Sequence, residues 1–151
     1  MKAKPNILAV ILFIAYLAML MKLLVFKYPP AMTFDIANGN FVPFKTILNY
    51  LSGEPTWRIA IRNIVGNIIL FIPVGFLVSF FRRPPTWKFV LIAAFVVSAM
   101  LEIIQGIFRA GVVDVDDVLL NVFGAVIGYG GFVCIELVKT SLKNNFGHYE
   151  K

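Results

Sequence analysis

Four stretches of this chain are long, apolar and nearly free of charge, and they constrain its fold more than any other feature. Two of them contain no charged residue, and the other two contain one each, Lys22 and Glu102. A helix that crosses the hydrocarbon core of a bilayer needs about 20 mainly apolar residues. These lengths therefore predict four membrane-spanning helices. The predicted spans are residues 7–26, 63–81, 89–108 and 118–135.

The composition agrees with a lipid environment. Of the 151 residues, 60% are hydrophobic and only 15% are charged, against about 25% charged in an average soluble domain. These values exclude a disordered tail, a coiled coil and most water-soluble folds. The net charge of +6 does not indicate a nucleic-acid-binding protein, because the spans divide the basic residues between two membrane faces.

The single cysteine and the single histidine exclude several kinds of site. One cysteine, Cys134, cannot form an intrachain disulfide framework. It lies in an apolar stretch, so we expect it to be a small buried hydrophobic residue. His148 lies in the polar tail, which argues against a Ser-His-Asp triad inside the fold.

The pattern as a whole predicts an all-α membrane protein, a four-transmembrane-helix bundle formed by one domain over residues 1–151. The first connection is long, and apolar residues at helical spacing within 44–51 favour a short interfacial or re-entrant helix there. The first span is too long for a signal peptide and is expected to be retained. The polar tail, residues 139–151, is expected to fray.

The basic residues predict the orientation. Four spans place both termini and the connection at residues 82–88 on one side of the membrane. That side carries eight of the 14 Lys and Arg residues and the other side carries six. Because basic residues are enriched in cytoplasmic connections, we expect the N and C termini to be cytoplasmic.

Polar residues gather at the outer ends of three spans, although such groups are costly inside a bilayer. In the second and third spans the steps between them are three or four residues, and the step from Asp117 to Asn121 is four, so these residues share a helix face. Three faces at one depth favour a shared wet cavity. The alternative is that they meet headgroups and water, with Asp116 or Asp117 capping the last span. The sets are Asn63 and Asn67; Ser98, Glu102, Gln105 and Arg109; and Asp114, Asp116, Asp117 and Asn121.

Four ordered pieces of sequence carry a resemblance to a known family. They occupy residues 40–44, 62–75, 98–105 with Arg109, and 114–129. Together they resemble the VanZ-like family of small integral membrane proteins. The resemblance implies a bacterial cell membrane, and a founding member is associated with low-level teicoplanin resistance in Gram-positive bacteria. It implies no established catalytic residue.

The first functional hypothesis is a site for an anionic or polar headgroup at the outer leaflet, from a lipid or a peptidoglycan precursor. Guanidinium groups suit phosphate and carboxylate oxygens, and a partly desolvated carboxylate can serve as a general acid or base. Candidate catalytic residues are Glu102, Asp116 and Asp117. Candidate binding residues are Asn40, Arg62, Asn63, Asn67, Ser98, Gln105, Arg109, Asp114 and Asn121.

Three alternatives remain open. The cofactor is unknown, and Glu102, Asp114, Asp116 and Asp117 are candidate ligands for a divalent cation, Mg²⁺ or Ca²⁺. The polar cluster is alternatively a structural salt-bridge and amide network in a non-catalytic binding or interaction protein. Transport ranks last, because the cytoplasmic halves of the spans carry no polar stripe. Gly124 and Gly128 form a small-xxx-small step that favours close helix packing and offers an oligomer contact.

Overall fold

The computed structural model describes residues 7–25, 39–82, 84–107 and 112–146. Its described residues form helices joined by turns and contain no strand. This result confirms the all-helical class. The helices are α1 (Ile7–Val25), α2 (Lys45–Leu51), α3 (Trp57–Phe81), α4 (Trp87–Ile107) and α5 (Val115–Phe146).

Three of these helices, α3, α4 and α5, are long and apolar enough to cross a membrane. Large apolar side chains cover their outer faces and are exposed, as Ile92, Phe95 and Phe123 illustrate. Such surfaces are costly in water and favourable in lipid. In α1 the corresponding apolar stretch among the described residues is shorter, Val10–Leu23. The structure therefore supports a membrane protein and leaves the fourth span a prediction.

The helices α3 and α5 pack backbone against backbone. A Cβ atom added to Gly124 would lie 2.2 Å from the carbonyl oxygen of Ile68, and one added to Gly128 would lie 1.9 Å from that of Ile72. Backbones approach this closely only where side chains are absent. The glycine face of α5 is therefore occupied by α3 of the same chain, and an oligomer contact through it would have to displace α3.

The helix α1 packs against the other helices through one buried side chain and two aromatic residues. Leu20 is buried in the core, and the Tyr16 hydroxyl donates a hydrogen bond to the Leu70 carbonyl of α3. The rings of Phe13 and Phe81 lie 5.5 Å apart between centroids. These contacts make α1 part of the bundle.

The short helix α2 lies in the long first connection. It begins after Phe44, whose φ of 68° is left-handed, and it is followed by Gly53 with φ of 87°. Thr56 then caps α3, because its side-chain oxygen accepts a hydrogen bond from the Ile59 amide. The place of α2 relative to the bilayer stays a prediction.

The last helix is longer than the predicted span, and its surface differs from the prediction in one respect. α5 continues to Phe146, although the polar tail was expected to fray from residue 139. Its final turns hold a Glu136–Lys139 ion pair of 3.2 Å and the basic Lys143, both favourable near a helix C-terminus. Cys134 is exposed on this helix, so its prediction as a buried residue was wrong.

Candidate functional site

Seven of the buried polar side chains lie where α3 and α5 begin and α4 ends. They come from the first turns of α3, the last turns of α4 and the start of α5. The packing of these three helices brings them together. The predicted cluster is thus one place in the folded chain. Its buried members are Asn63, Asn67, Ser98, Glu102, Gln105, Asp116 and Asn121.

Asp116 is fully buried and holds the start of α2. One carboxylate oxygen accepts a hydrogen bond of 2.6 Å from the Phe44 amide. The other accepts bonds of 2.7 and 3.1 Å from the amides of Thr46 and Ile47. These amides belong to the first turn of a helix, where no intrahelical acceptor exists. The alternative had Asp116 or Asp117 capping the last span, whereas the Asp116 side chain holds the start of α2 instead.

Asp114 caps α5 and ties it to the first connection. Its side chain accepts a bond of 2.9 Å from the Asp116 amide and one of 2.8 Å from the Asn40 side chain. The backbones of Asn40 and Asp114 also form a parallel bridge. The Asp114 amide donates 3.0 Å to Glu102 of α4. Asn40, Glu102 and Asp114 therefore connect three separate segments.

Two hydrogen bonds from asparagine side chains join the long helices further from α2. The Asn67 side chain of α3 donates 2.6 Å to the Asp117 carboxylate of α5. The Asn121 side chain of α5 donates 2.8 Å to the Ser98 hydroxyl of α4. These pairs fix the register of α5 against both neighbours.

Tyr50 was missed by the sequence analysis and is the outermost polar partner of the cluster. Its hydroxyl accepts a bond of 2.6 Å from the Asn63 side chain. Tyr50 also lines an open cavity of about 300 Å³ between α2 and the turn before α3. The only signal in the sequence was a tyrosine on a short amphipathic helix. The other lining residues are Thr46, Asn49, Glu54 and Pro55.

Two buried amide oxygens of the cluster accept no hydrogen bond from the described residues. They are Oδ1 of Asn63 and Oδ1 of Asn121, in side chains that are 1% and 2% exposed. A buried acceptor without a donor costs about 1–3 kcal/mol. The cluster therefore has two amide oxygens that could accept a further hydrogen bond, one beside Tyr50 and one in the core.

The sequence comparisons identify the family. The family model described as VanZ/LLP1 matches residues 13–138, which is most of the chain. The chain belongs to the VanZ/LLP1 family. It is similar to Protein VanZ of Enterococcus faecium, with 38% identity over 71 residues. That match spans 44% of this chain and 42% of that protein. No solved structure matches the chain at a significant level.

Of the two arginines predicted to hold an anion in this VanZ/LLP1 member, the structure describes one. Arg62 is exposed on α3, although its neighbour Asn63 is buried. Arg109 lies outside the described residues. The arginines were predicted to hold an anion together, and the structure locates only Arg62, at the rim of the polar end.

Amide groups of the protein engage the candidate metal ligands. Among the described residues, no three His, Cys, Asp or Glu side chains converge closely enough to hold a metal ion. Asp116 faces the amides of α2, Asp114 faces Asn40 and the Asp116 amide, and Asp117 faces Asn67 of α3. Amide groups of the protein therefore engage carboxylates that a cation would need.

Proposed function

We propose that this VanZ/LLP1 protein is a multi-pass protein of the bacterial cell membrane that binds a polar, anionic headgroup at the outer leaflet. The headgroup belongs to an envelope lipid or a lipid-linked peptidoglycan precursor. In this proposal α1, α3, α4 and α5 all span the membrane, both termini are cytoplasmic, and α2 lies at the outer interface. The resemblance to VanZ-like proteins motivates a link between this binding and susceptibility to teicoplanin.

The hydrogen bond between Tyr50 and Asn63 is the observation that carries the proposal. It joins an open cavity of about 300 Å³ to the buried polar cluster. That volume lies at the lower end of the range for small-molecule sites, which suits a headgroup with its tail left in the bilayer.

Two exposed cations near the start of α3 favour an anionic headgroup. Arg58 and Arg62 are four residues apart on the first turns of α3, and both side chains are exposed. The partial positive charge of a helix N-terminus adds to theirs. Glu54 lines the cavity as its acidic member and would accept a hydrogen bond from a sugar or glycerol hydroxyl.

A structural network is the second candidate, and the contacts of Asp116 favour it for part of the cluster. Its two oxygens accept three amide hydrogen bonds from the start of α2. A carboxylate used in this way is a positioning group, so we do not propose it as an acid or base. In this account Asp114 and Asp116 shape the site, and Asn63 holds Tyr50 from behind, whereas Tyr50 and the exposed arginines contact the ligand.

The test is to measure lipid binding by the purified protein in detergent using native mass spectrometry. The probes are undecaprenyl phosphate and phosphatidylglycerol, with phosphatidylcholine as the neutral comparison. We expect Arg62→Gln to weaken binding of both anionic probes about tenfold, because one charge-assisted contact is lost.

The matched control is Lys143→Gln, which removes an exposed positive charge from the opposite end of the molecule. It should leave binding of undecaprenyl phosphate unchanged, and both variants should unfold like the unsubstituted protein. Equal binding of anionic and neutral probes, or equal effects of the two substitutions, would refute the proposed site.

A further inference from the structure

A second concave surface lies at the opposite end of the bundle from the polar cluster. Its volume is about 540 Å³, within the range of small-molecule sites. It runs between the connection that leads into α4 and the C-terminal half of α5. We call it the proline groove, and it is lined by Pro84, Pro85, Phe132, Val133, Glu136, Leu137 and Thr140.

The lining of the proline groove is mostly apolar and suits a hydrocarbon chain. Two prolines, a phenylalanine, a valine and a leucine form most of its surface. Glu136 is the acidic member, and its carboxylate pairs with Lys139 at 3.2 Å. The groove is therefore apolar enough to contact an acyl chain, and the charge of its acidic residue is balanced by Lys139.

The neighbouring cations suit the headgroup of an anionic lipid. Arg82 and Lys88 flank the two prolines in sequence, and aromatic rings hold both cations. The Arg82 guanidinium lies 4.1 Å from the Phe89 ring centroid, and the Lys88 ammonium lies 5.7 Å from that of Trp87. Exposed tryptophan is enriched at the membrane–water interface, so Trp87 indicates the depth at which headgroup and acyl chain meet.

We propose that the proline groove binds one acyl chain of an anionic phospholipid, whose phosphate group contacts Arg82 and Lys88. The occupant is a lipid and not a second protein copy. An apolar groove near the cations Arg82 and Lys88 matches the acyl chain and the anionic headgroup of one lipid molecule. This site is independent of the headgroup site near Tyr50. It would anchor the Pro84–Pro85 connection to the lipid of its own leaflet.

The experiment uses the two tryptophans of the chain, Trp57 and Trp87, which lie at opposite ends. In a Trp57→Phe background Trp87 is the sole emitter, and phospholipids with brominated acyl chains quench it on contact. The full-length protein is reconstituted in phosphatidylcholine vesicles that contain a small fraction of brominated phosphatidylglycerol or brominated phosphatidylcholine. We expect stronger quenching by brominated phosphatidylglycerol at equal fractions.

Two substitutions separate the headgroup contact from the acyl-chain contact. Arg82→Gln with Lys88→Gln should lower the relative affinity for phosphatidylglycerol about tenfold, and Val133→Phe should lower quenching by filling the groove. The matched controls are Lys22→Gln with Lys45→Gln at the other end, and Ile127→Phe on an exposed part of α5. Both controls should behave like the background protein.

Equal quenching by the two brominated lipids in the background protein would overturn the proposal. So would a preference for phosphatidylglycerol that survives either the charge substitution or the filling substitution. Neither result would bear on the Tyr50 site, because the sole emitter lies at the other end of the molecule.

Discussion

At the residue scale, Asp116 explains how a polar loop is held against an apolar bundle. Its buried carboxylate accepts hydrogen bonds from three amides at the start of α2, including that of Phe44. Phe44 has a φ of 68°, which costs a residue with a side chain about 1–2 kcal/mol. The strained turn therefore persists because Asp116 stabilises it.

The substitution Asp116→Asn tests this role. An asparagine has one acceptor oxygen in place of two, and its amide group would face amide donors. We expect the free energy of unfolding in mixed detergent micelles to fall by about 2–4 kcal/mol. The control is Glu54→Gln, an exposed carboxylate at the same end, which should change stability by less than about 0.5 kcal/mol. Equal stability of both variants would contradict the cap.

At the scale of elements, the sequence predicted the long helices and the faces that carry the polar residues. The spacing of Asn63 and Asn67 on α3, and of Ser98, Glu102 and Gln105 on α4, was sufficient because helix geometry is local. The partners were not predictable, since Asn67 pairs with Asp117 and Asn63 with Tyr50 across long stretches of sequence. Local periodicity contains no information about such distant contacts.

The packing of α3 on α5 gives a prediction with an internal control. Gly128→Ala would place a Cβ atom 1.9 Å from the Ile72 carbonyl oxygen, whereas nothing lies within 4 Å of a Cβ at Gly130. We expect Gly128→Ala to destabilise the protein by about 2 kcal/mol or more. We expect Gly130→Ala to leave it as stable or raise its stability by up to about 1 kcal/mol. Unfolding titrations in sodium dodecyl sulfate would measure both, and a reversed order would contradict the helix contact.

At the scale of the whole molecule, the orientation rests on the distribution of the basic residues. Ser52 follows α2 and Thr86 precedes α4, and both side chains are exposed. In a Cys134→Ala background, we expect Ser52→Cys to react with an impermeant maleimide added to intact cells. Thr86→Cys should react only after lysis. Labelling of Thr86→Cys and not of Ser52→Cys in intact cells would reverse the proposed orientation.

The polar cluster and the proline groove lie at opposite ends of the same bundle, so the residues exposed at the two ends differ in polarity. The outer end in this orientation offers buried amides, carboxylates and an open cavity at Tyr50. The other end offers an apolar groove with Arg82 and Lys88 beside it. The bundle thus has the proposed headgroup site at one end and the proposed acyl-chain groove at the other.

The central claim, that an anionic headgroup occupies the cavity beside Tyr50, is tested most directly by protection of an introduced cysteine. Asn49 is exposed and lines the cavity, whereas Ser52 is exposed on the same connection outside its lining. In the Cys134→Ala background, undecaprenyl phosphate should slow maleimide labelling of Asn49→Cys several-fold and leave Ser52→Cys unchanged. Unchanged labelling of Asn49→Cys at a probe concentration that saturates binding, or equal slowing at both positions, would contradict the account.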